Sequence, residues 1–495
     1  MVPKDDSPYL DWRADPAQAR LPARSLPDDR RNFGCPHRAT AQNALHCGGG
    51  GLLQSVRELV PIADCLVKPA KEESPIPAGY TYLGQLLAHD LCGASEGVFD
   101  YPLNGVAQAV AQPSARRGLP LQLESLLGPV AARSAGPALW RFPTPTPGFP
   151  FVSVDLPRLR RQGRARRSLG AVADARNDDN PMIAQLGALF ILLAQRIEAV
   201  LLDAGTDPAT ARLTARLRTV RSWHNILRRD YLPRLCLPGM TGARPDRRGA
   251  AAIPVELTHA VMRFGHWMVR SQYRMNRDTV ATADLLAGID DIEERRRRPG
   301  SENFWRIDWR NFFDLDPAHP PQHALALGGG VAAMFGSDYA LPDRLEIHSA
   351  LASSDNDLCL RDLARSVDGG LQRVSVLAKR LAPRWQGRFP DWRLWTARGR
   401  RGVIQRFYAQ AGLAPQRHLI EDPPLYLYVL AEAGAGPQAE GYGNGASLGA
   451  LGSGILMASI HAALAASEAA LPAAPIRAGY ELPVSMPDLI RKLSA

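Results

Sequence analysis

Apolar residues fall at helical spacing in four long segments of this chain, Pro181 to Asp203, Pro208 to Arg229, Pro254 to Arg270 and about Ser447 to Leu471, while strand-like alternation is scarce throughout. A chain patterned this way has to bury helix against helix. The expected fold is therefore mainly α: a single large helical domain with long loops and very little β. A further helix is expected after the turn residues at Ile76 to Gly79, where Leu83, Leu86 and Leu87 share one face. The connections are long, and residues 93–173 in particular are rich in Pro, Gly and Arg. Loops of that length inside a compact domain usually build a site. Residues 1–70 show little periodicity and read as an N-terminal arm packed on the main body, with 71–495 as the domain proper.

Composition removes several classes of function. With 45% hydrophobic and 22% charged residues the chain is neither disordered nor fibrous, and its 495 residues can bury a large core. The stretch Gly441 to Ser467 opens as GYGNGASLGALGSG, too rich in glycine and polar groups for a lipid-facing segment, and the uncharged run Pro181 to Gln195 is short for one, so no membrane span is expected. The start, MVPKDDSPYLDWRAD, lacks a basic region followed by an apolar one, which makes the cytoplasm the expected location. Six cysteines without CxxC spacing argue against structural zinc and iron–sulfur ligation. Net charge is 59 − 49 = +10 with only five lysines, and the arginine runs Arg158 to Arg167 and Arg295 to Arg298 carry no interleaved aromatics, so a nucleic-acid partner is not expected.

Four stretches carry residues suited to chemistry. Gln85 and His89 lie four apart and project from one helix face; taken alone, such a histidine is more often a core residue bonded to a carbonyl. In VADARNDDNP, Arg176 precedes Asp178, Asp179 and Asn180 at the mouth of an apolar helix. Helix capping accounts for the acids but not for the arginine. The stretch RSWHNILRRDYLPRLC reads as a helix ending near Pro233. In IPVELTHAVMRFGHWMVRSQYRMN, Gly265 sits beside His266 in an amphipathic pattern; a mid-helix glycine costs about 1 kcal/mol, which suggests something flat and bulky against the backbone there. His259, seven residues earlier, reads as packing.

Taken in order, YLGQLLAHDL, ADARNDDNP, SWHNILRRDYLPRL, IPVELTHAVMRFGHWMV, IDWRNFF, LRDLARSVDGGL and PLYLYVL resemble the animal-type heme peroxidases, in the bacterial branch of the peroxidase–cyclooxygenase superfamily, across roughly residues 70–470. The resemblance implies a heme-peroxidase-type helical domain with heme b held between two helices. His266 is then the proximal ligand of the heme iron and His89 the distal acid–base group. Arg176 would stabilise charge as the O–O bond breaks, and Gln85 would order water or halide. The implied partners are hydrogen peroxide and a small-molecule reductant, organic or halide, oxidised through a ferryl intermediate, an activity that serves in the response to oxidative stress.

The sequence departs from that pattern at named positions. Ala88 stands where an aspartate forms one heme ester, leaving Asp179 as the residue open to a single ester link. The implied calcium site keeps Asp90, but its loop, Gly118 to Gly128, carries Gly118, Gln122 and Glu124 where threonine and more acids are usual, a poor set of hard oxygens. The asparagine that orients the axial histidine falls at Ser375, a softer brace. Ile226 occupies the place of the radical-forming tyrosine of the cyclooxygenases and fatty-acid dioxygenases, which turns the reading away from lipid dioxygenation unless Tyr231 or another tyrosine substitutes. A degenerate, noncatalytic heme-binding relative is the third reading; the departures favour it, and the retained Gln85, His89, Arg176 and His266 oppose it. Neither the substrate nor the oligomeric state follows from these motifs.

Overall fold

The structure is a computed structural model that describes residues 52–68, 72–91, 120–128, 145–159, 169–170, 172–238, 240, 253–277, 280–282, 305–328, 330–332, 358–368, 371–385, 396–436, 442–471 and 481–495. Residues 1–51, most of 93–173 and both arginine runs beyond Leu159 lie outside them. The main helices in chain order are α1 (Leu52–Leu66), α2 (Gly79–Leu91), α3 (Pro181–Asp203), α4 (Pro208–Ile226), α5 (Leu358–Asp368), α6 (Val374–Trp385), α7 (Ala397–Ala411), α8 (Leu425–Gly434), α9 (Ala450–Ala470) and α10 (Met486–Ser494). Among the described residues strand is limited to four two-stranded ladders, three antiparallel and one, Val67–Lys68 with Val331–Ala332, parallel. The mainly α architecture expected from the periodicity is the one observed.

At the centre stands α3, buried from Pro181 through Ala194. Its start is defined by chemistry in the sequence: Asn180 is extended and its Oδ1 accepts the Ile183 N–H at 3.0 Å, while Pro181 occupies the first turn, where its missing N–H costs nothing. A fully buried polar side chain in this helix, Gln185, is satisfied by the chain at Trp305 to Ile307: Nε2 donates to Trp305 O at 2.6 Å and Oε1 accepts from Ile307 N at 3.0 Å. A four-residue turn with Gly205 at φ +80° returns the chain to Asp207, which caps α4 by accepting from Thr210 N at 3.0 Å. Helices α3 and α4 then pack along their length, and α2 packs across α3.

Both α3 and α9 are long and apolar enough to cross a membrane by length and composition, which the shorter uncharged runs had not suggested. Yet 67% of the apolar window of α3 and 72% of that of α9 is buried inside the protein, so their hydrophobicity is spent on the core.

Two expected helices behave differently from their sequence pattern. The segment from Pro208 does not end before Pro233. It passes through a π-helical turn, Leu227–Tyr231, where the Leu232 N–H reaches back to Leu227 O, and resumes as Leu232–Leu235 with Pro233 in its first turn. The extra residue of the π turn places the proline where no main-chain donor is needed. The segment from Pro254 to Arg270, expected as one helix, breaks at Ala260 (φ −131°, ψ −67°) into an α-helical turn, Val255–His259, and a 3-10 helix, Val261–Met268. His266 therefore projects from a tighter winding than the pattern implied.

Leu59, Ile62, Ala63 and Leu66 of α1 belong to the same buried cluster that runs to Leu493 near the C-terminus, and α1 packs against α5. At least that part of residues 1–70 is core.

Candidate functional site

Helix α2 carries Gln85 and His89 one turn apart, and the 3-10 turn Ala175–Asp178 with its flanks meets them from the mouth of α3. His89 Nδ1 lies 2.9 Å from Asn177 Oδ1. The amide of Asn177 is itself fixed, because its Nδ2 donates to Ser125 O at 3.0 Å, so Oδ1 is the end that faces the imidazole. Nδ1 then carries the proton and Nε2 the lone pair. Asn180 Nδ2 donates to Gln85 Oε1 at 3.3 Å, which turns the donor end of the Gln85 amide away from the cap.

Arg176 joins the same cluster through Nη2, which donates to His89 O at 3.3 Å. Its guanidinium also forms a fork with Asp174, Nε to Oδ1 at 3.0 Å and Nη2 to Oδ2 at 2.7 Å, and Asp174 caps the 3-10 turn by accepting the Arg176 N–H. The arginine that capping left unexplained is thus the cross-link between this turn and α2. Asp179 follows at the end of the turn, half-buried.

His266 sits on a 3-10 helix that packs against α2 and α8. Its Nδ1 lies 2.6 Å from Asp362 Oδ2 on α5. Next to it, Trp267 donates from Nε1 to Tyr426 OH of α8 at 2.6 Å, and Ser366 of α5 accepts the Tyr426 N–H at 3.1 Å. Ser375, expected to brace His266, does not occupy that place. It lies on α6 and is bound to Asp422, N to Oδ1 at 3.1 Å and Oγ to Oδ2 at 2.8 Å. A Cβ built on Gly265 meets no heavy atom within 4 Å, so space opens beside the chain next to His266. A histidine whose Nδ1 is pinned by a carboxylate presents Nε2 as a metal ligand, and the open space at Gly265 allows a flat group to approach; these residues fit a heme.

They do not fit calcium in the same way. Asp90 Oδ2 accepts from Leu123 N at 3.0 Å and Trp223 Nε1 at 3.2 Å, and Oδ1 from Ser125 Oγ at 3.4 Å. The carboxylate is met by donors, not by the oxygen ligands a calcium ion requires. Beside it, buried Arg216 donates from Nη1 to Leu127 O at 3.0 Å and from Nη2 to Gly128 O, so main-chain oxygens of the 120–128 loop face a guanidinium. Burial lowers the Arg216 pKa, and the Glu124 and Asp90 carboxylates oppose that shift. Gly118 lies outside the described residues, and among those described no three His, Cys, Asp or Glu side chains come together as a metal-binding group.

Gln85, His89 and Arg176 meet at one crossing, joined there by Asn177 and Asp174, while Asp362 stands beside His266; the sequence motifs singled out none of these last three. Asn177 was within reach, standing beside Arg176 in the same motif. Asp362 is separated from His266 by 96 residues and gave no local signal.

No family model and no curated protein matches the sequence. Among solved structures, the chain is similar to peroxidase A from Dictyostelium discoideum, with a TM-score of 0.52 over 88% of each chain and 13% sequence identity. The two share a mainly helical fold.

Proposed function

We propose that this chain is a heme-dependent peroxidase that uses hydrogen peroxide to oxidise a small organic molecule or halide. The observation that carries the reading is the convergence of Gln85, His89, Arg176 and Asn177 at the crossing of α2 and the turn before α3, next to a 3-10 helix bearing a carboxylate-braced histidine, in a fold shared with a peroxidase.

In this reading His266 Nε2 would hold the iron, and Asp179 would be the residue to form a single ester link with the heme. Bound heme would supply two-electron oxidation by peroxide and the return to rest at the expense of one or two donor molecules. His89, with Nδ1–H committed to Asn177, accepts a proton from hydrogen peroxide at Nε2 and delivers it to the oxygen that leaves as water. Gln85 holds peroxide, water or halide through its amide N–H. Arg176 keeps the His89 main chain and the turn in register, and its charge toward the bond being broken is shared with Asp174.

The test is hemin titration of the purified protein followed by peroxide-dependent oxidation of a phenol. A Soret band should appear at one heme per chain and be lost in His266→Ala. His89→Ala should keep the heme and lose at least ~10²-fold in the rate of reaction with peroxide. A protein that stays colourless with hemin would defeat the proposal, as would phenol oxidation indifferent to His89. Oxygen uptake with an unsaturated fatty acid, in place of phenol oxidation, would mark a dioxygenase.

A further inference from the structure

The side chain that meets His266 Nδ1 is a carboxylate from a distant helix, and every feature around it holds that contact in place. The Nδ1 to Oδ2 distance is 2.6 Å; the Asp362 side chain is 1% exposed and the imidazole 29%. The winding of Val261–Met268 explains how the pair meets. At three residues per turn, side chains at i and i+3 eclipse, so Arg263 and His266 arrive on one face, and both reach Asp362: Arg263 Nη1 lies 3.8 Å from Oδ1 while His266 takes Oδ2. Arg263 sets a cation against the other oxygen of this buried carboxyl group.

The neighbours prevent either partner from swinging away. Trp267, adjacent to His266, is bonded to Tyr426, and the two rings lie 5.4 Å apart. The Tyr426 main chain donates to Ser366, one turn beyond Asp362 on α5, and Ser366 Oγ in turn bonds Asp362 O at 3.4 Å. The 3-10 helix, α5 and α8 thus close a ring of contacts around the histidine.

Resting on the heme reading above, we infer that Asp362 is the positioning residue of the axial histidine: an anionic brace that fixes His266 with its lone pair on Nε2 and strengthens it as a donor. A carboxylate draws the Nδ1 proton harder than an amide or a hydroxyl does, so the imidazole takes on anionic character and stabilises ferric over ferrous iron. A low reduction potential keeps the resting metal in the state that reacts with peroxide.

Two measurements test this, one without heme. In the heme-free protein, at a pH high enough that the ring is neutral, nitrogen-15 NMR should show His266 protonated at Nδ1 and not at Nε2, and Asp362→Leu should abolish that preference while Asp362→Asn, which keeps an acceptor, retains much of it. In the heme-loaded protein, Asp362→Asn should raise the Fe(III)/Fe(II) midpoint by at least the 59 mV of a tenfold change in a one-electron equilibrium and weaken the iron–histidine vibration. Ser375→Ala should change neither, and circular dichroism should show each variant folded. A tautomer preference that survives Asp362→Leu, a potential unmoved in Asp362→Asn, or a shift as large in Ser375→Ala would overturn the inference. If the tautomer follows Asp362 but no variant, nor the parent chain, binds hemin, the heme reading fails and the brace stands.

Discussion

The imidazole of His89 depends on an amide for its tautomer, and that amide depends on a main-chain carbonyl for its orientation. Asn177→Leu removes the acceptor and leaves the ring able to place its proton on either nitrogen. The expected result is slower reaction with peroxide, by roughly tenfold but less than the ~10²-fold or more for His89→Ala, with hemin uptake unchanged in a Soret titration. A second residue gives a stability signature. Glu432 is fully buried against the start of α9, where Leu451 N and Gly452 N donate to it, and burial pushes its carboxyl up from 4.5 to about 8 despite those bonds. Because the folded carboxyl holds its proton to higher pH than the unfolded one, the contribution of Glu432 to stability is fully present below pH 4.5 and is lost as pH rises through about 8. Glu432→Gln should flatten that slope, as urea midpoints measured at pH 5 and pH 8 will show.

At the scale of elements, the 120–128 loop is fastened to α4 directly by two side chains, Arg216 and His224, and through Asp90 of α2 by a third, Trp223. Arg216 holds Leu127 O and Gly128 O, Trp223 holds Asp90, and His224 Nε2 lies 2.7 Å from Leu121 O. The fastening includes its own cation. Chelation by EDTA should therefore leave the melting temperature of the parent protein unmoved, and Arg216→Met should lower stability by about 1.5–3 kcal/mol, the worth of hydrogen bonds from a charged donor; a melting temperature that falls on chelation would show that the loop needs a divalent ion. Helix α2 has a tight fit of its own at Gly84, where a Cβ would lie 2.5 Å from Tyr231 OH.

How much of this was legible in the sequence follows the range of the forces involved. Helix starts at Asn180 and Asp207 were readable because a cap and a following proline act within four residues. Gln85, His89 and Arg176 were readable because each sits in a short motif of unusual polarity. The break at Ala260, the π turn and the Asp362 contact were not, since each is decided by what packs against the segment from elsewhere: α5 and α8 in the first and third cases, and in the second the network in which Asp230 accepts from Tyr80, Arg234 and Met486 N. Ser375 illustrates the limit well. It falls at the motif position of a brace, yet in the fold it serves Asp422.

Across the whole molecule one buried cluster runs from Leu59 to Leu493, so the two ends of the described chain share a core with the site between them. Helix α1 lies against α5, the helix that presents Asp362. Removing residues 1–67 would strip the cover from α5, and the expected result is a lower melting temperature together with weaker hemin uptake in the same titration. A truncated chain with undiminished uptake would show that α5 keeps its place unaided.

The winding of Val261–Met268 sets a phase. Between Arg263 and His266 three steps of a 3-10 helix complete one revolution, whereas three steps of an α-helix fall short by about 60°. Any change that coaxed this segment into the commoner coil, such as Gly265→Ala, whose methyl would meet no protein atom within 4 Å, would act as a misaligned gear: both side chains would survive intact, and only their simultaneous reach to a single aspartate would be lost.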